Sequence, residues 1–252
     1  MRNFRSGAYS NLVRYHSLPL SKVLEIAVFS PEGALIAAEC GADRIELCSG
    51  YVEGGLTPTA ATIQFVKSQI GIPVQVMVRP RGGNFAFSDV EKEIMFHDMT
   101  LSIAAGADGI VTGALMQNGM IDEQFMDEVM HIAGGRPVTF HRAFDVCIHP
   151  QIEIKKLINL GVTRVLTSAQ EKSAAMGIPL LRKLHENFGQ DITILVAGGL
   201  NPANITAIAA QTTCNEFHAS ARKKIMTPDS GFGIHVLPDP DFIRDMKSKL
   251  KP

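Results

Sequence analysis

The sequence predicts an α/β fold of the (β/α)8, or TIM, barrel type in one domain. Two observations carry this. Strand-like and helix-like runs alternate eight times along the chain after Lys22. Several of the strands also carry an ionisable residue where a buried strand is ordinarily apolar, as though they shared one polar interior.

Each element has its own signal. The first strand, near 23–28, is VLEIAV, and Ser30-Pro31 supplies a cap and a first-turn proline to a helix near 31–40 that stops at Gly41. A strand near 43–48 (RIELCS) and a glycine-rich loop lead through Thr57-Pro58-Thr59 into a helix near 59–70, ended by Gly71. The run 73–79 is a third strand, and Ser88 opens a helix near 88–105 before Gly106. Strands near 108–112 and 137–142 flank a helix near 122–133 capped by Asp122. Further strands are expected near 164–168, 192–197 and 214–219, with helices near 150–160, 176–187 and 201–210, the last opened by Asn201-Pro202. Pro238-Asp239-Pro240 starts a final helix near 239–250. An open doubly wound sheet is the alternative, but the first turn, Phe29-Ser30-Pro31, has no G-x-G-x-x-G, so neither a dinucleotide fold nor a nucleotide cofactor is expected.

Strand alternation puts Leu24, Ile26, Val28, Ile45, Leu47, Val74, Val76, Val78, Val138 and Phe140 on one face. The opposite face carries Glu25, Glu46, Cys48, Arg79 and His141. In a barrel these positions point inward, toward the mouth formed by the C-terminal strand ends, where barrel proteins keep their working groups.

Composition narrows the class of ligand. A formal charge of -1 and 46% hydrophobic residues favour a small molecule over nucleic acid. No apolar run is long enough to span a membrane. Four cysteines, at 40, 48, 147 and 214, are too widely spaced for a disulfide framework or a C-x-x-C zinc site, and suit a reducing cytoplasm. Residues 1–22 contain Arg2, Arg5, Arg14 and Lys22 with no acidic residue, a composition shared with organellar transit peptides. The plainer reading is a disordered extension ahead of a domain spanning 23–252.

Candidate chemistry gathers at the strand ends. Arg79 and Arg81, in RPRGG, can clamp an anion or brace the barrel mouth through Glu25 or Glu46. His141 is a candidate acid–base group or metal ligand, with Arg142 and with Asp145 placed to orient it. Glu216, His218 and Ser220 share a face of the last strand and add a second histidine. Gly198-Gly199, after the seventh strand, sits where many barrels bind phosphate, and Arg222 is near enough in sequence to add charge. Of the cysteines only Cys48 points inward; soft Cu(I) favours thiolate and thioether donors, and Met77 shares that face.

The segments ADRIELCSG, EGGLTP, IPVQVMVRPRGGNF, GADGIVTGAL, PVTFHRAFD, RVLTS and EFHASAR, over roughly residues 23–222, resemble the CutC family. The resemblance implies a (β/α)8 barrel with an incompletely closed helical ring, a cytosolic homo-oligomer, and a role in copper homeostasis through Cu(I) binding. Family members often pair the cysteine of IELCSG with one in the first strand; here that position is Ala27, so only Cys48 remains of that pair. The polar set Glu25, Glu46, Arg79, Arg81, His141, Arg142, Asp145 and His218 follows the family pattern. Copper homeostasis and an enzyme or sensor for a small anionic metabolite, phosphorylated or otherwise charged, are the competing expectations. In the enzyme reading, a histidine or one of the carboxylates Glu25, Glu46 and Asp145 moves protons while Arg79, Arg81 and Arg142 hold the anion.

Overall fold

A computed structural model describes residues 22–224 and 235–251; the N-terminal residues 1–21 with their targeting-like composition lie outside the described residues. Eight parallel strands close a barrel in sequence order: β1 (Val23–Val28), β2 (Arg44–Leu47), β3 (Val74–Met77), β4 (Gly109–Thr112), β5 (Val138–Phe140), β6 (Arg164–Thr167), β7 (Thr193–Val196) and β8 (Glu216–Ala219). β1 pairs with both β2 and β8, so the sheet has no edge. The expected TIM barrel is the observed fold. No helix among the described residues is long and apolar enough to cross a membrane.

Each strand is followed by a helix: α1 (Pro31–Glu39), α2 (Ala60–Gln69), α3 (Asp89–Ala104), α4 (Glu123–Ala133), α5 (Pro150–Asn159), α6 (Ala174–Phe188), α7 (Ile205–Thr212) and α8 (Pro240–Leu250). Side chains of Ser30, Thr59, Ser88, Asp122 and Asp239 accept first-turn N–H groups, and Ser88 with Glu91 completes a capping box. Asn201-Pro202 does not open α7: Asn201 and Asn204 bond to one another's turn, and the helix begins at Ile205. Neighbouring helices pack side by side around the ring except at α5, which has no comparably close helix contact to α4 or α6. Lys156 of α5 pairs with Glu123 of α4 at 3.2 Å and ties these two helices together.

The apolar strand face packs outward against the helices, with Leu24, Ile26, Ile45, Val76, Ile110, Phe140 and Phe217 fully buried in one core. Burial of such side chains contributes about 1.5–3 kcal/mol each and drives closure of the two layers. The bottom of the barrel is sutured by a repeated device. In Gly41-Ala42-Asp43 and Gly106-Ala107-Asp108 the glycine takes φ of 91° and 102°, and the aspartate accepts the backbone N–H of Leu24 or Val74, both at 2.7 Å. Thr163 repeats the device with the N–H of Val138 at 3.2 Å.

Two elements were not foreseen from the sequence. Arg142–Val146 forms a 3-10 turn after β5, and Arg222–Lys224 (β9) pairs antiparallel with Val236–Pro238 (β10). The second places Arg222 at the rim of the barrel on a strand rather than in a loop.

Candidate functional site

The inward positions stack as layers drawn from alternate strands, as the parallel register requires. The lowest layer holds Arg44, Gly109, Arg164 and Glu216, and its charges are paired: Glu216 meets Arg44 at 2.6 Å and Arg164 at 3.1 Å. Gly109 is required there because a Cβ would stand 2.1 Å from the Gln75 side-chain oxygen. Above it Glu25 bonds Arg44 at 2.5 Å and the Nδ1 of His218 at 2.7 Å. The other ring nitrogen of His218 lies 3.8 Å from Glu46 Oε2, which also accepts from the Cys48 thiol at 3.5 Å.

Electrostatics distinguish these buried groups. Burial alone would raise the pKa of Glu25, but the His218 hydrogen bond and the Arg44 charge outweigh it and bring it down to about 2. Glu46 is pushed the other way, by burial and by the charge of Glu25 against the opposing pull of His218. His218 loses by burial but gains more from Glu46 and Glu25, so its pKa rises and the imidazolium is favoured. Burial and the Glu46 charge push the Cys48 thiol well above its ordinary range, so it is not a thiolate at neutral pH.

Above this floor a cavity of about 450 Å³ opens at the C-terminal mouth. Glu46 and His218 form its base, His141 and Arg79 its wall, and Gly198, Gly199, Arg142 and Arg222 its rim. Phe29, Tyr51 and Phe85 supply apolar surface, and Arg222 stacks its guanidinium over Tyr51 at 5.3 Å. His141 is 3% exposed; its Nδ1 accepts the N–H of Ala143 at 3.3 Å, which leaves the ring proton on Nε2, and Nε2 has no partner among the described residues. Burial and the nearby Arg79 charge hold its pKa down at about 3, so this histidine is neutral, whereas the imidazolium is favoured at His218.

The expected residues therefore divide. Glu46, His141, His218, Arg79, Arg142, Gly198 and Gly199 meet at one cavity; Glu25 lies beneath it, oriented toward His218, instead of at the strand end. Arg79 is not a free clamp: its guanidinium donates to the carbonyls of Glu53, Gly55 and Gly83 at 2.7, 3.2 and 2.9 Å, bracing the loops after β2 and β3. Arg81 is off the cavity wall, in an ion pair with Glu91 and stacked on Phe87. Asp145 does not orient His141; it accepts from Arg142, Thr167, Ser168 and Gln170, fixing the β6 loop. Cys48 packs with Met77 and Val111 and is not on the cavity wall. Sequence reading missed Gly113, where a Cβ would fall 2.9 Å from His141 Nδ1, and the aromatic surface, because neither carries a local signal of position.

A metal has two candidate donor sets. Ligand atoms of Glu25, Glu46 and His218 lie within 4.8 Å of one another. For Cu(I), by contrast, the barrel interior offers one protonated thiol, with Ala27 where a second cysteine would face it, and this does not fit a two-thiolate site.

Comparison with known proteins agrees with this architecture. The CutC family model matches residues 22–223. The human protein named copper homeostasis protein cutC homolog is 46% identical over 209 residues, covering 83% of this chain and 76% of its own length. A CutC family protein of Bacteroides thetaiotaomicron is 43% identical over 202 residues, 80% of this chain and 81% of its own. A crystal structure of CutC from Streptococcus agalactiae superposes with a TM-score of 0.76 at 30% identity, over 79% of this chain and 98% of that one. Phosphoribosylanthranilate isomerase of Thermotoga maritima, at 11% identity and a TM-score of 0.57, shares the fold alone. With the barrel, its inward polar layers and these relatives in agreement, the chain belongs to the CutC family.

Proposed function

We propose that this chain is an enzyme that moves a proton on a small, anionic, carbonyl-bearing metabolite at the mouth of the barrel. The observation that carries the reading is the neutral His141, which lines the same cavity as the Glu46–His218 pair and whose buried Nε2–H has no partner among the described residues. A neutral imidazole donor suits a substrate oxygen on which charge develops. A carboxylate with a raised pKa suits proton abstraction near neutral pH.

In the simplest step Glu46 takes a proton from the carbon beside the carbonyl. The C–H bond breaks, its electron pair forms the C=C bond, the carbonyl π pair moves to oxygen, and His141 Nε2–H holds that oxygen. Return of the proton to a different atom gives an isomer, and His218 steadies the charge on Glu46 throughout. Because Arg79 and Arg81 are engaged elsewhere, recognition of the anion falls to Arg222 and Arg142 with the Gly198-Gly199 backbone at the rim.

The test is thermal unfolding of the reduced chain against phosphorylated and carboxylated metabolites and Cu(I), followed by solvent deuterium exchange into any ligand that stabilises it. An anion should raise the midpoint, less so in Arg222→Gln, and His141→Ala should keep binding while exchange falls about 100-fold or more. Stabilisation by Cu(I) alone, lost in Cys48→Ser, would replace this reading with copper binding, in keeping with the copper homeostasis in the names of the relatives.

A further inference from the structure

Glu46 and His218 meet edge to edge at the cavity base, with His218 Nε2 3.8 Å from Glu46 Oε2. Glu46 is 4% exposed, and its second oxygen, Oε1, has no donor among the described residues. The remaining ring nitrogen of His218 is fully used, since Nδ1 bonds Glu25 at 2.7 Å and Glu25 is in turn anchored by Arg44. A metal-bound histidine generally gives its second ring N–H to a carboxylate, which fixes the tautomer and turns the free nitrogen to the ion. Glu25 and His218 already stand in that relation.

We propose that Glu46 and His218 form a binding site for a divalent cation of the Zn²⁺ class, held between Glu46 Oε2 and His218 Nε2. The inference rests on the acid–base reading of the cavity and adds its regulation: cation loading and proton transfer use the same two side chains, so each excludes the other. Two donors about 2.1 Å from such an ion stand roughly 3.4 Å apart at the tetrahedral angle, so the observed separation closes by a few tenths of an ångström. Imidazole with carboxylate is the donor set such a cation accepts, whereas Cu(I) favours sulfur. Cavity volume above the pair leaves room for water or a ligand at the remaining positions.

Three carboxylates, those of Glu25, Glu46 and Glu216, surround the pair and face Arg44 and Arg164, with Arg79 higher on the wall.

Calorimetric titration of the reduced full chain with Zn²⁺, without substrate, tests this. One equivalent should bind, and affinity should fall at least tenfold in Glu46→Gln and in His218→Gln, and about tenfold in Glu25→Gln. In the wild-type chain, NMR of the histidine ring nitrogens should show one imidazole nitrogen displaced on Zn²⁺ addition. Absence of binding, unchanged affinity in both folded variants, or no ring nitrogen moving overturns the inference. Metabolite stabilisation without Zn²⁺ binding removes this site and leaves the acid–base reading intact; Zn²⁺ binding without any metabolite response does the reverse.

Discussion

Replacement of Glu25 by glutamine removes one buried charge while keeping size and shape. Glu25 is 1% exposed, and its pKa of about 2 lies below an ordinary 4.5 because His218 and Arg44 more than offset the cost of burial. That gap corresponds to about 3 kcal/mol favouring the folded, ionised state at neutral pH. Because the folded value is depressed, the contribution is complete above pH 4.5 and is lost as pH falls toward 2. Glu25→Gln should therefore lower stability by about 3 kcal/mol at pH 7, a fall in midpoint of about 6–12 °C for a domain of this size. At pH 3 the gap between the two proteins should narrow to about half of that. Guanidinium unfolding at both pH values, with m-values compared, measures it. A gap that stays constant between pH 7 and pH 3 would show that Glu25 is not the anion of this network and would refute the argument.

Other consequences are equally direct. Arg79→Met removes three charge-assisted bonds to loop carbonyls, so it should cost about 3 kcal/mol or more and make the loop around Glu53–Gly55 sensitive to limited proteolysis; an unchanged cleavage pattern would return Arg79 to ligand binding. Gly113→Ala should displace the His141 ring through a 2.9 Å approach, lowering turnover while the Tm falls by only a few degrees; normal turnover would free His141 from its assigned place. The thiols of Cys48, Cys147 and Cys214 should resist alkylation in the native state at pH 7.5, since burial raises Cys147 to about 12, Cys214 to about 11 and Cys48 well above its ordinary value. Mass spectrometry after brief iodoacetamide exposure reads this, and fast labelling of Cys48 would mean that the barrel mouth opens.

What was legible in the sequence follows from local rules. Alternation separated Leu24, Ile26 and Val28 from Glu25, and the capping residues located the starts of five helices, because both signals depend only on neighbouring residues. The eight repeats implied closure, and the inward direction of Glu46, Cys48, Arg79, His141 and His218 came with it. Motif resemblance across the chain identified the family before the fold was seen.

Partner choice was not legible, since an arginine on an inward face reads the same whether it meets a ligand, a carbonyl or a carboxylate. Arg79 was taken up by three loop carbonyls and Arg81 by Glu91, while Asp145 turned to the β6 loop instead of His141. The protonation states were likewise tertiary: His141 and His218 are the same residue type at neighbouring levels of one cavity, yet one is neutral beside Arg79 and the other is held as a cation between Glu25 and Glu46. The sequence by itself determined a barrel, its inward polar residues and its family. Only the tertiary structure decided which of those residues share charge, because that depends on strand register and on distances of a few ångströms between strands far apart in the chain.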